Sequence, residues 1–447
     1  MKYEKWSLGY YLLKNYVRIA NWLIHRNKII TGRENLPVDK PIVFAPNHQN
    51  ALSDPMAVLL NTHYQPVWLA RADIFKNKLV ASILKFLKIM PVYRIRDGKE
   101  NLSKNDETFN NSIKVLENNK QLGLFPEAAH TSKRQMIAHK KAVPRIVFQA
   151  EEKENWNLDI QIVPTGIYYS SYWKFNRDLI VNFGQPIAVK DFYEAYKENP
   201  SAATLQLRDK IYDAILPLVI QLPGKEHYND FESIRNIYGN HFMQRQNIKK
   251  STLNRFQSDQ ELATRLNRLT KQRPEDTKNL ITMVRNYQTI LSEAKVRSWL
   301  VEKPYHNTLK FFRNLALLIA GLPFFLYGFI FNAIPFLAID VIVRKKVKDI
   351  AFWSSFALVL GILLFPVFYL IELALLWKLL PGFWLKLIFI ISLPLLGKFA
   401  FIWYIFFRKT VGRFHLLIKK IFKRKEYYNL FKQKDLVFFK LDEMMPL

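Results

Sequence analysis

Cysteine is absent from the 447 residues, which excludes a disulfide framework, a thiolate zinc site, an iron–sulfur cluster and a cysteine nucleophile. The absence assigns no compartment, because a reduced cytosolic chain and a cysteine-poor secreted one look alike. Acidic residues are scarce beside basic ones: 37 Asp and Glu against 66 Lys and Arg give a formal charge of +29. An excess of that size implies an anionic partner, either nucleic acid or an anionic membrane. No nucleic-acid-binding motif is visible, and the C-terminal basic cluster abuts an apolar stretch, where it attracts anionic lipid instead. The N-terminal stretch lacks a continuous apolar core, being broken by Lys14 and Arg18, so no signal peptide is expected. Internal repeats and low-complexity tracts are missing as well.

Aromatics are plentiful, at 15% with 34 Phe, which argues against disorder and leans toward the membrane. A mean hydropathy of −0.07 excludes a chain embedded throughout, so any spans are concentrated. They fall in the last third. Between Arg313 and Asp340 lie 26 uncharged residues, and between Asp349 and Glu372 another 22. Both exceed the roughly 18 that make a transmembrane candidate. Leu387 to Phe407 is similarly apolar but carries Lys398 near its middle.

The length allows two or three domains of roughly 150 residues. Residues 1–30 read as an amphipathic helix, with Trp6, Tyr10, Leu13, Val17, Ala20 and Ile24 on one stripe. Two readings stand for it, a helix packed on its own domain and a helix lying in the membrane interface. Residues 31–222 read as one α/β domain. β-rich runs at Ile42–Ala45, Leu122–Phe125, Ile160–Val163 and Leu179–Phe183 alternate with helical segments at Asp54–Leu60 and Thr108–Asn118. Residues 223–306 read as a helical hairpin, residues 307–410 as the membrane region and residues 411–447 as a basic tail. Arg408 to Lys425 holds eight basic residues and no acid. That tail and the loop Arg344-Lys345-Lys346-Val347-Lys348 are both expected on the cytoplasmic side. Spans at about 351–377 and 384–407 then form a hairpin with Pro381-Gly382 at its far turn. The segment at about 312–340 must return to its own side as a re-entrant hairpin, bending at Gly321, Pro323, Gly328, Asn332 and Pro335.

The residues that carry chemistry stand where strands end. Asn47-His48 follows the first strand, and Asp54 lies within two turns. An Asp that holds one imidazole nitrogen leaves the other free to take a proton from a hydroxyl. Ser53-Asp54-Pro55 is equally a good helix start, with Asp54 as N-cap and Pro55 at the first helical position. Phe125-Pro126-Glu127 places an acid after another strand, followed by Lys133 and Arg134. Met90-Pro91-Val92-Tyr93-Arg94 ends a third strand with an Arg, and Val163-Pro164-Thr165-Gly166 closes a fourth. Four such ends suggest a site along one edge of a sheet.

These four elements, in this order over residues 31 to about 190, resemble the phospholipid/glycerol acyltransferases, which include lysophosphatidic acid and glycerol-3-phosphate acyltransferases. The resemblance implies a mixed central sheet flanked by helices. It implies that His48 deprotonates an acceptor hydroxyl, which attacks the thioester carbonyl of acyl-CoA or acyl carrier protein, with Asp54 orienting His48. Arg94 contacts the acceptor phosphate, and Asn47, Phe125, Pro126 and Glu127 belong to the substrate-binding motifs. Val163-Pro164 belongs to a motif on the acyl-donor side. No metal and no cofactor beyond the thioester co-substrate is implied. Two departures stand out. The family places four residues between His and Asp, and here five intervene, absorbed either in a bulge or widened turn or at the cost of leaving Asp54 a cap only. The family has Gly after Phe-Pro-Glu, where this chain has Ala128, strained if the position needs a positive φ. With the family's next Arg missing, Lys133 and Arg134 become candidate phosphate ligands. The resemblance implies an enzyme acylating lysophosphatidic acid; the apolar spans and the basic loop and tail add the expectation of an integral inner-membrane protein with its catalytic domain on the cytoplasmic face. The alternatives are glycerol-3-phosphate or another lipid precursor as acceptor, and an impaired domain serving as a membrane scaffold.

Overall fold

The structure, a computed structural model, describes residues 3–93, 103–224, 226–302 and 308–446. It divides into two units, Met1–Ile220 with Val347–Leu358, and Gln221–Lys346 with Val359–Leu447.

In the first unit the chain runs α1 (Leu8–Ile24), β1 (His25–Thr31), β2 (Ile42–Pro46), α2 (Ser53–Leu59), β3 (Val67–Arg71), α3 (Lys78–Phe86), β4 (Ile89–Val92), α4 (Lys104–Glu117) and β5 (Gln121–Gly123). It continues through α5 (Ala142–Lys153), β6 (Gln161–Tyr169), β7 (Arg177–Phe183), β8 (Ile187–Ala188), α6 (Tyr193–Glu198) and α7 (Pro200–Ile215). The sheet order is β1-β7-β6-β2-β5-β3-β4, with β8 also on β6. From β6 to β4 all neighbours are parallel, whereas β7 and β8 run antiparallel to β6. Parallel strands are covered on both faces and read as unbroken apolar runs. The fully buried Ile42-Val43-Phe44-Ala45-Pro46 is such a run. Val43 and Ala45 pack with Val115, Ile146, Val147 and Leu207 of α4, α5 and α7. Ile42 and Phe44 point to the other face, with Ala57, Val58, Trp68 and Leu179. This is the mixed, helix-flanked sheet that the sequence leads one to expect. Because β2, β3, β4, β5 and β6 are parallel, their carboxyl ends lie along one edge.

The helix expected over residues 1–30 stops at Ile24, and His25–Thr31 instead forms the edge strand β1, parallel to β7. The stripe that α1 buries is also shifted, to Tyr10, Lys14, Val17 and Asn21. Lys14 is tolerated inside because its Nζ donates to the carbonyls of Thr62 (2.9 Å) and Tyr64 (2.5 Å). The opposite face leaves Leu8, Leu12, Ile19 and Trp22 exposed, so α1 packs on its own domain and still presents an apolar surface.

The second unit holds α8 (Tyr228–Arg245), α9 (Thr252–Gln272), α10 (Pro274–Glu293), α11 (Ser298–Glu302), α12 (Thr308–Lys346), most of α13 (Trp353–Leu375), α14 (Gly382–Phe422) and α15 (Arg424–Met444). Two expectations are corrected here. The region 223–306 contains more than a hairpin, and the residues read as a basic tail beyond 411 are mostly helical. α14 runs on to Phe422, and α15 packs back by burying Leu430, Val437, Phe438 and Leu441. Asp442 on α15 joins Tyr238 and accepts from Arg245, both on α8.

The re-entrant hairpin over 312–340 is likewise not formed; α12 is one continuous helix of 39 residues containing Pro323 and Pro335. The residues read as bends serve packing and backbone satisfaction instead. Asn332 Nδ2 donates to the carbonyls of Gly328 (2.9 Å) and Leu393 (3.1 Å), while its Oδ1 accepts from the Tyr369 hydroxyl (2.7 Å). A Cβ at Gly328 would lie 2.1 Å from the Leu396 carbonyl oxygen, so glycine allows α12 and α14 to touch backbone to backbone. Their contacts (Phe311 with Phe414, Leu318 with Trp403, Asn332 with Leu393) run in opposite chain directions. The C-terminal end of α12 therefore lies beside the N-terminal end of α14. The basic Arg344–Lys346 shares an end of this pair with Pro381-Gly382, not with the residues after Phe407 as charge alone suggested. Among the described residues, three helices, Leu309–Lys346, Ile350–Leu375 and Gly382–Phe422, are long and apolar enough to cross a membrane.

Candidate active site

β2 ends at Pro46, and the chain turns into α2 through Asn47–Leu52. Asn47 locks the strand end to β6, its side-chain Nδ2 donating to the Ile167 carbonyl (3.2 Å) and its Oδ1 accepting the Ile167 N–H (2.7 Å). It is fully buried and braces the backbone. His48 follows, partly exposed, its Nδ1 2.9 Å from Asp54 Oδ2. The same carboxylate oxygen accepts the N–H groups of Gln49 (2.7 Å) and Asn50 (2.6 Å). Asp54 is not the N-cap of α2. That position is Leu52, without a side-chain cap, and Asp54 reaches back to the turn before it. The fifth intervening residue is absorbed at Ala51, whose φ is +40°, and the His–Asp contact survives the insertion.

Asp54 is wholly buried, so its charge needs compensation. Two N–H groups and the imidazole supply part, and the buried guanidinium of Arg177 faces the same pocket, 4.5 Å above the Tyr169 ring. Burial, with the Asp54 charge second, holds the Tyr169 hydroxyl well above its ordinary pKa, so it stays protonated.

β5 delivers the second element to the same edge. The Phe125 ring stacks on the His48 imidazole at 4.0 Å and 19°. Pro126 is buried, and its carbonyl accepts the Lys140 N–H (2.8 Å). Glu127 lies beneath the site rather than opening into it. Its Oε1 accepts the His48 backbone N–H at 3.0 Å, and only 1% of the residue is exposed. Burial pushes its carboxyl up to about 8, against the lowering effect of the His48 and Ile137 N–H groups. The next residue takes a left-handed backbone: Ala128 has φ +56°, a conformation costing a non-glycine residue about 1–2 kcal/mol.

The remaining candidates divide. Arg134 does not reach the substrate side. Its guanidinium is buried over the Tyr168 and Tyr172 rings and donates to the Tyr169 carbonyl (2.9 Å). Lys133 is half-buried in the loop after Glu127. Pro164 sits inside β6 opposite Ala45, and its carbonyl accepts the Gly184 N–H (2.8 Å), a place in the sheet ladder. Arg94 lies outside the described residues.

Two features were given no role by sequence reading. His130 sets its ring edge against His48 at 5.3 Å and against Phe352 at 4.9 Å. Burial and the neighbouring His48 lower its pKa, while Asp349 opposes the shift. Phe352 belongs to Val347–Leu358, the one stretch beyond Ile220 that joins the first unit. The only sequence signal for it was a pair of hydroxyls, Ser354-Ser355, at the start of an uncharged run.

The acyltransferase family model matches residues 28–168, which hold the carboxyl ends of β2, β3, β4 and β5. Glycerol-3-phosphate O-acyltransferase 2 of Saccharomyces cerevisiae is 24% identical over 135 residues, 30% of this chain and 18% of the yeast protein. A 1-acyl-sn-glycerol-3-phosphate acyltransferase of Bacillus subtilis is 28% identical over 103 residues, 23% of this chain and 48% of that protein. Among solved structures, the lysophosphatidic acid acyltransferase of Thermotoga maritima aligns with 46% of this chain and 78% of its own, at 16% identity and a TM-score of 0.33. Over residues 28–168 of its first unit the chain is thus similar to the acyltransferase family. It spans less than half the length of either curated relative.

Proposed function

We propose that the chain is a membrane-bound O-acyltransferase that moves an acyl group from acyl-CoA or acyl carrier protein to the hydroxyl of 1-acylglycerol-3-phosphate. One observation carries the reading: His48 Nδ1 is committed to Asp54 at 2.9 Å, which leaves Nε2 as the proton acceptor. Nε2 takes the acceptor's hydroxyl proton as its oxygen attacks the thioester carbonyl. The C–S bond then breaks, and the leaving thiolate takes that proton back from the imidazolium. Asp54 stabilises the imidazolium between the two events. Glu127 and Asn47 hold the backbone of His48 rather than the substrate, and Phe125 fixes the ring plane. We assign the acceptor phosphate to Lys133, with Arg94, which lies outside the described residues, as the second candidate. No cofactor beyond the thioester is called for. Three apolar helices and a charge of +29 suit a membrane of anionic lipid, with the thioester supplied from the cytoplasmic face.

Glycerol-3-phosphate is the second acceptor to test, since a relative named for it shares the domain. The intact His48–Asp54 contact argues against the scaffold alternative. The experiment offers 1-acylglycerol-3-phosphate and glycerol-3-phosphate in competition to the chain in vesicles, with labelled acyl-CoA. Labelled phosphatidic acid is the expected product. Label only in 1-acylglycerol-3-phosphate would reassign the acceptor, and label in neither would remove the reading.

A further inference from the structure

Val347–Leu358 is a compact corner within the first unit. The Trp353 indole Nε1 donates to the Val347 carbonyl (2.9 Å), and the Asp349 carboxylate accepts the Ala351 N–H (2.9 Å). The two hydroxyls that follow reach the loop between His48 and Asp54. Ser355 Oγ accepts the Leu52 N–H at 3.1 Å, at the helix start that has no side-chain cap of its own. Ser354 Oγ donates to Asn50 Oδ1 (3.0 Å) and therefore accepts from Ser53 Oγ (2.9 Å). The Asn50 amide is used at both ends, since its Nδ2 donates to the Tyr172 carbonyl (3.0 Å). Arg177 Nη2 lies 3.4 Å from Ser53 Oγ and 3.5 Å from Ser354 Oγ, so a buried charge backs the cluster.

The loop has a physical need for such support. It holds one residue more than the spacing it resembles, and takes up the excess at Ala51 in a left-handed conformation unfavourable to alanine. The backbone N–H of Asn50 is also one of the donors on Asp54 Oδ2, the atom that holds His48. Displacing Asn50 displaces that carboxylate, and a misplacement of about 1 Å can cost on the order of 10²-fold in rate.

We infer that Ser354 and Ser355 are positioning residues for the His48–Asp54 pair, acting through Asn50 and Leu52. The opening of α13 is thus a working part of the catalytic loop as well as the start of an apolar helix. The inference rests on the transferase reading for its kinetic consequence but not for its structural one. The test therefore uses two readouts on the full chain in detergent. In a Ser354→Ala/Ser355→Ala variant, amide hydrogen exchange over Gln49–Ser53 should accelerate at least tenfold, while exchange in β6 stays as in the parent. The turnover number should fall about 10- to 100-fold with both KM values within about twofold. Ser354→Thr, which keeps the hydroxyl, should retain most of the turnover. Unaccelerated exchange over Gln49–Ser53 overturns the inference whatever the activity. So does a kcat loss shared equally by Ser354→Thr and Ser354→Ala. A parent chain that transfers nothing defeats the transferase reading alone, and the exchange measurement still decides this one.

Discussion

A single oxygen of Asp54 accepts from two backbone N–H groups and meets the imidazole of His48. That sharing separates two effects of mutation. Asp54→Asn keeps an oxygen for the N–H groups but removes the charge and disturbs the imidazole tautomer. Turnover should fall about 10²–10⁴-fold with little change in unfolding temperature. Asp54→Ala strands both N–H groups as well, each costing about 1–3 kcal/mol, so it should lose stability in addition. A near-silent Asn variant would mean that the contact is structural. Glu127 offers a pH test. Its carboxyl, ordinarily near 4.5, is raised to about 8 by burial, so the folded chain keeps a proton that the unfolded chain releases. Stability from this group is full below about 4.5 and is lost as pH rises through about 8. Thermal unfolding of the parent should weaken across that window relative to Glu127→Gln, whose amide cannot ionise. Parallel profiles would count against a buried, protonated Glu127.

At the scale of elements, the antiparallel contact of α12 with α14 makes a definite statement about sidedness. If α14 crosses the bilayer, single cysteines placed at Lys346 and Gly382 should react together with an impermeant thiol reagent, and one at Lys425 should react from the opposite side. The absence of native cysteine makes the experiment clean. Joint labelling of Lys346 and Lys425, protected from the side that labels Gly382, would contradict the helix pair. Here the sequence misled for a traceable reason. Gly321, Gly328 and the two prolines are as compatible with close helix packing as with a bend, and only the partner helix decides between them. The basic residues of 344–348 and 408–425 carried no information about which helix ends meet. The short parallel strands were more legible: Ile42–Pro46 is apolar throughout, and the apolar run Leu122–Phe125 overlaps β5 while overshooting its end at Gly123. β1 was not, since His25-Arg26-Asn27-Lys28 is polar and gains its strand form only from pairing with β7. In the site, the motif brought His48, Asp54, Phe125 and Glu127 to one edge. It did not tell which face of each would be buried, so Arg134 read as a phosphate ligand and Asn47 as a substrate contact. Ser354 and Ser355 were invisible, because nothing local ties them to a loop some 300 positions earlier.

The molecule as a whole joins an α/β unit that matches the acyltransferase family model over residues 28–168 to a second unit rich in apolar helix, on a chain with a formal charge of +29. The helices α12 and α14, at 1.5 Å per residue, are about 60 Å long, twice the roughly 30 Å of a hydrocarbon core. Each therefore extends well beyond any bilayer it enters, and the basic second half of α14 is suited to the headgroup region. The central claim is that His48 removes the proton of an acceptor hydroxyl. It is tested most directly by the initial rate of labelled acyl transfer from acyl-CoA to 1-acylglycerol-3-phosphate, comparing the full chain with His48→Ala in the same vesicles. Transfer by the parent and a loss of about 10²–10⁴-fold in a His48→Ala chain that still inserts and keeps its unfolding temperature is the predicted result. Near-parent turnover by His48→Ala would contradict the account.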